Sequence, residues 1–227
     1  MIYAQRPSVL TLSNDLIAQM SASDQQLLLK NTRLVDLKAG DILVSPSAKD
    51  PLVYFLSSGA VALFVAHHQG QTHAGLAVGL VGREGALGLQ AALGMGVGNL
   101  TLIVQTQGYA HVLEADRLRQ LLKRHPDWLM LFSRNLWLTY QDIARLAALS
   151  HVHDVKRRLA DWLLMSEQRC GQEQLVMTHA HIANMLGVRR ASVTLAAREM
   201  KMQGLVDYSR GYIKLLDKPA LQKLASP

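Results

Sequence analysis

Between Thr178 and Gly211 two short helical patterns meet at a tight turn, and a basic strand–turn–strand follows. The first pattern runs Thr178-His179-Ala180-His181-Ile182-Ala183-Asn184-Met185-Leu186-Gly187, and the second opens Val188-Arg189-Arg190-Ala191-Ser192-Val193-Thr194. Thr178 suits an N-cap, because its hydroxyl can accept a backbone N–H that the helix leaves free. Ala183 sits where the helices would cross most closely, so a bulky side chain there would push them apart. Gly187 follows the last apolar residue and can take a left-handed C-terminal conformation without steric cost. Val193 and Ala196 then face back into the angle between the helices. The second helix is expected over Arg190–Gln203, with Gly204 stopping it. Gly204 to Lys214 supplies the hairpin. Such spacing predicts a winged helix-turn-helix.

The exposed side of that second helix carries Arg190, Ser192 and Thr194 in its first turns. Arg, Ser and Thr at those places suit contacts to base edges and phosphates in a major groove. An ordinary helical hairpin with a solvated basic face is the bland alternative. The joined hairpin, the Arg pair and the overall charge favour DNA binding.

Composition agrees. The 227-residue chain is 49% hydrophobic, which suits a globular protein of one or two domains. Its formal net charge of +7 suits an anionic partner. The excess is uneven: residues 151–227 hold 12 Lys+Arg against 7 Asp+Glu, and residues 1–150 hold 12 against 10. Cys170 is the single cysteine, which excludes an intramolecular disulfide and a four-cysteine iron–sulfur or zinc site. No signal-peptide layout or membrane-spanning run is evident, so a cytoplasmic location and no membrane partner are expected.

Glycine usage divides the chain. Twelve of 16 glycines fall before residue 109, among short apolar runs at 34–37, 42–44, 53–56, 60–66, 75–81, 100–106 and 109–113. That pattern reads as an all-β roll or barrel. A helix over 14–29, capped by Ser13, is expected before it. Residues 127–151 contain neither Gly nor Pro. Leu129, Phe132, Leu136, Thr139, Ile143 and Leu146 are spaced 3, 4, 3, 4, 3, as in the seam of a parallel coiled coil. A dimer would supply the two-fold symmetry that helix-turn-helix proteins use on paired half-sites. A core-facing helix of one subunit is the alternative. A further helix is expected over 154–166, burying Val155, Leu159, Trp162 and Leu163.

An N-terminal β-roll, a long helix and a C-terminal winged helix-turn-helix together resemble the cyclic-AMP receptor / fumarate–nitrate regulator (CRP/FNR) family of bacterial transcription factors. Leu37-Lys38-Ala39-Gly40-Asp41-Ile42-Leu43, Val53 to Gly59 and Gly82 to Gly88 also resemble its β-roll phrases. The resemblance implies an α+β chain: a jelly-roll-like, cyclic-nucleotide-binding-like sensor over 1–125, a dimerisation helix over 126–151, and a DNA-binding domain over 152–227. It implies a homodimer on a double-stranded operator, RNA polymerase as a partner, and no enzyme. Arg190 matches the family's base-reading Arg, with Ala191 where the family usually has Glu; Thr194 joins them in base readout. Thr178, Arg189, Ser192 and Arg210 are the expected phosphate contacts.

Departures cluster where an effector would bind. The family's phosphate-holding Arg and following Ser or Thr fall on Leu100 and Thr101, and its paired hydroxyl residues on the long helix fall on Ile143 and Ala144. No Lys or Arg occurs from Glu84 through Asp116. A buried phosphate needs a cation or several backbone donors. Cyclic AMP is therefore not the expected ligand. Arg83 and Glu84 join these four positions as the candidate effector pocket, with the effector unknown or absent. His67, His68, His73 or His111 could serve as a haem ligand in principle, yet nothing singles one out, and no metal or cofactor is expected. A ligand-responsive module acting through protein contacts, with vestigial DNA binding, is the rival reading. A metal-dependent β-barrel enzyme is a third, but the sequence has no nucleophile, base and oxyanion constellation.

Overall fold

The computed structural model describes residues 14–44, 51–65, 75–96, 98–171, 174–209 and 211–226. A 3-10 turn at Ile17–Gln19 and α1 (Ala22–Lys30) lead into β1 (Arg33–Leu37), β2 (Ile42–Val44), β3 (Leu52–Leu56), β4 (Ala60–Val65), β5 (Leu76–Val81) and β6 (Ala86–Leu87). A short α2 (Leu89–Ala92) precedes β7 (Leu100–Thr106) and β8 (Gly108–Glu114). Then follow α3 (Ala115–Arg124), α4 (Asp127–Val152), α5 (Val155–Cys170), β9 (Gln174–Val176), α6 (His179–Leu186), α7 (Arg190–Met202), β10 (Val206–Ser209), β11 (Tyr212–Leu215) and α8 (Lys218–Ala225).

Two four-stranded antiparallel sheets, β1-β8-β3-β6 and β2-β7-β4-β5, make the roll. Tyr54, Leu56 and Val112 from the first meet Val61, Leu63 and Val104 from the second in one apolar cluster. Burying both inner faces is what closes two amphipathic sheets into one body. The C-terminal sheet is smaller, with order β10-β11-β9.

The N-terminal helix begins later than the sequence suggests. Asn14 is buried, and its Oδ1 accepts from Leu16 N at 3.1 Å and Ile17 N at 3.0 Å. Its Nδ2 donates to Leu56 O and Gly85 O, each at 2.8 Å. These bonds hold the chain in a 3-10 turn against the roll, and Ser21 caps α1 instead by accepting from Asp24 N. Ser13, the expected cap, lies outside the described residues.

On the long helix the expected seam divides between buried and partly exposed residues. Phe132 is buried beside Phe55, with ring centroids 5.8 Å apart. Leu136 packs on that same cluster, Ile143 on the roll core, and Leu146 on the C-terminal core. Thr139 is half-buried and donates to Asn135 O at 3.0 Å, while Leu129 is exposed. The 3/4 stripe therefore mostly faces the helix's own subunit. A helix lying across a roll needs an apolar stripe for it, and spacing alone does not name the partner. The solvent side carries Met130, Trp137, Leu138 and Tyr140.

The C-terminal unit docks on the roll. Gln105 Nε2 donates to Ser166 Oγ at 3.2 Å, and the Cys170 thiol donates to Thr106 Oγ1 at 3.2 Å. Arg169 reaches Asp142 and Glu84. Burial pushes the Cys170 thiol pKa up, which keeps it protonated and inert.

Candidate nucleic-acid interface and effector cleft

The helix pair forms as its residues dictate. Thr178 Oγ1 accepts from His181 N at 3.1 Å and starts α6. Gly187 has φ +63°, a conformation that favours glycine, and a Cβ there would push on the movable end of Leu76, meeting Cδ1 at 2.8 Å. Ala183, Val193, Ala196, Ala197 and Met200 are buried between the helices and their support. That burial fixes which side of α7 looks outward.

Arg190, Ala191, Thr194, Leu195 and Arg198 line that outward side as one shallow concave surface. Arg189, Arg190 and Arg198 are exposed, and none of them is ion-paired among the described residues. Unpaired guanidinium groups around an apolar strip suit phosphates and base edges. Thr194 is constrained: its Oγ1 donates to Arg190 O at 3.0 Å and lies 3.1 Å from His179 Nδ1. Its methyl group is the part left for a partner. His179 stacks on Tyr208 of β10 at 4.1 Å, tying α6 to the hairpin. Burial and then the nearby Arg190 hold the His179 pKa below its ordinary value, and burial lowers that of His181.

The expected phosphate contacts sit around this surface. Arg189 is the N-cap of α7, Ser192 is half-buried in its first turn, and Thr178 is exposed at the start of α6. Arg210 lies outside the described residues. Leu195 and Arg198 escaped the sequence reading. Their signal was present, because they fall four residues after Ala191 and Thr194 on one helical face.

The expected effector residues divide. Leu100 and Ile143 line a cleft of about 390 Å³ between roll and α4, with Leu136, Thr139 and Tyr140. Thr101 and Ala144 are not among its lining residues, and Ala144 is exposed. The hydroxyl-bearing residues of its lining are Thr139 and Tyr140, about one turn before the matched positions. Arg83 and Glu84 lie elsewhere: Arg83 pairs with Asp15 at 2.7 Å, and Glu84 accepts from Gly82 N at 2.9 Å. No Lys or Arg lines the cleft among the described residues. His111 is buried on β8, its Nδ1 3.3 Å from Thr32 Oγ1, while His67, His68 and His73 lie outside the described residues.

Known proteins are similar to this chain both in its helix-turn-helix and in its overall fold. Residues 157–224 match the Crp-like helix-turn-helix domain. The C-terminal third is thus similar to a Crp-like helix-turn-helix domain. The chain is 28% identical over 205 residues to the transcriptional regulator SdrP of Thermus thermophilus, covering 84% of this chain and 93% of that one. A CRP/FNR-family regulator from Eubacterium rectale superimposes with a TM-score of 0.68 at 21% identity, over 92% of this chain and 97% of the other. FixK2 from Bradyrhizobium japonicum gives 0.71 at 14% identity, over 86% and 98%. The C-terminal segment thus sits within a fold shared over most of the chain with CRP/FNR regulators, as the sequence resemblance implied. Among the described residues, no helix is long and apolar enough to cross a membrane.

Proposed function

We propose that this chain is a homodimeric, sequence-specific DNA-binding transcriptional regulator and not an enzyme. Each α7 enters a major groove, and RNA polymerase is a partner at the promoter. The observation that carries this is the surface of Arg190, Ala191, Thr194, Leu195 and Arg198, held outward by the buried side of α7. Arg190 donates two hydrogen bonds to guanine O6 and N7, and Ala191 offers a methyl to a neighbouring thymine. Arg189, Ser192 and Thr178 touch phosphate, and Arg210 joins them from the hairpin.

A second copy covers the outer face of α4. Met130, Trp137 and Ala144 are seven residues apart and exposed, with Tyr140 stacked on Trp137 at 5.4 Å. The repeat matches a two-helix seam, and α4 is rotated from the register that the sequence suggested. Among the described residues the cleft beside Leu100 and Ile143 has no cation for a cyclic phosphate, so its effector is one other than cyclic AMP, or there is none. The rival reading, a protein-contact module with vestigial DNA binding, is disfavoured by three unpaired arginines around the apolar strip.

Selection of bound fragments from random duplex DNA tests the function. Two half-sites about 34 Å apart, each holding a guanine, are expected. Recovery of unenriched DNA at physiological salt would overturn the reading.

A further inference from the structure

A second cavity, of about 250 Å³, lies where β5, the last turns of α4, α5 and α6 meet. It shares no lining residue with the roll cleft. Leu76, Leu149 and Leu186 give it apolar walls. Its volume exceeds the roughly 150 Å³ of an apolar cavity that takes benzene.

The polar groups at this cavity are unevenly matched. Trp162 lines it and is 2% exposed, and its indole Nε1–H has no acceptor among the described residues. Arg158 also lines it, half-buried. Its guanidinium donates to Leu186 O, but no carboxylate pairs with it among the described residues. The one carboxylate in the wall, Asp161, is held by Arg145 at 2.7 Å. Arg145 thus balances Asp161, and the charge of Arg158 is left over. Burial lowers the Arg158 pKa, as expected for a cation without a counter-ion. An unmatched guanidinium beside apolar walls suits an oxyanion carried on a hydrocarbon chain.

We propose that this junction cavity binds a small amphipathic carboxylate, its chain among Leu76, Leu149 and Leu186 and its headgroup on Arg158. The ligand touches the roll through β5, the end of the long helix, and the reader through α6. It therefore favours the arrangement in which these three are together. This does not rest on the roll cleft's occupant or on the base contacts of α7.

Calorimetry of the full chain with octanoate, octanol and acetate tests it. Octanoate is expected to bind once per chain, octanol about tenfold more weakly or less, and acetate without measurable heat. Arg158→Gln should bring octanoate down to the affinity of octanol, and Arg158→Lys should recover part of the difference. Ala147 is exposed at the cavity wall, so Ala147→Trp should fill the space without disturbing the fold and abolish octanoate binding. Leu100→Trp, which fills the roll cleft, should leave octanoate binding unchanged. In nitrogen-15 spectra the indole signal removed by Trp162→Phe should move on octanoate addition. Absence of octanoate binding, equal affinity for octanol, or loss in Leu100→Trp with retention in Ala147→Trp would each overturn the proposal.

Discussion

The helix pair α6–α7 and the long helix α4 both carry apolar residues at helical spacing, yet only the pair declared its partner. In α6–α7 the partner lies a few residues away. Thr178 starts one helix, Gly187 turns the chain, and Ala183 faces Val193 across the crossing. Every choice is local, so the geometry follows from the order of residues. In α4 two surfaces compete for the helix: the roll of its own chain and open solvent where a second copy can lie. Phe132 went to the roll, and Trp137 went outside. A periodic stripe reports that burial occurs; it does not report against what.

Truncating each face of α4 separates the two. Phe132→Ala removes a buried ring that contacts Phe55, and it should destabilise the roll by about 3–5 kcal/mol in chemical denaturation. Trp137→Asp should instead leave roll stability nearly unchanged and give monomers in sedimentation. If Phe132→Ala dissociated the dimer while the fold kept its stability, the assigned faces would be reversed.

The pair is probed by the glycine and arginine that define it. Gly187→Val places a branched side chain in a left-handed conformation, which costs about 1–2 kcal/mol before any clash with Leu76. Thermal melting should show the loss, and DNA affinity should fall with it. Arg190→Ala should leave the melt unchanged, cost about 1–3 kcal/mol on the preferred site and relax preference at one base pair. Wild-type discrimination between operator and random DNA in that variant would mean that α7 is not the reading helix.

The smallest effect concerns pH. His179 and His181 on α6 have folded-state pKa values below the ordinary 6.5. As pH falls below 6.5 the unfolded chain takes up these protons first, so reader stability should decline with acid and be complete above that value. The slope is limited to about 1.4 kcal/mol per pH unit for each histidine. His181→Gln should flatten it; an unchanged slope would place the acid sensitivity elsewhere.

Strands, α7 and the hairpin were legible because alternation and turn residues are local signals. Val193 and Ala196 were read as inward, and both are buried. The effector residues were less legible. Matching along α4 put the family's hydroxyl positions at Ile143 and Ala144; Ile143 lines the cleft with Thr139 and Tyr140, and Ala144 does not. Arg83 looked free to meet an anion, but Asp15, 68 residues away, holds it. Leu195 was passed over because an exposed leucine carries no polar signature.

Ala60, Phe64 and Leu80 of the roll belong to the same apolar cluster as Leu163, Met177 and Leu186 of the reader. The two units are therefore not beads on a string. A reader cut free at the bend after α4 would turn part of its own interior into surface. Grafted onto a foreign sensor, it would need a roll wall of matching shape beneath α5 and α6. Interchangeability, often assumed for DNA-binding modules, is limited here by shared packing and not by linker length.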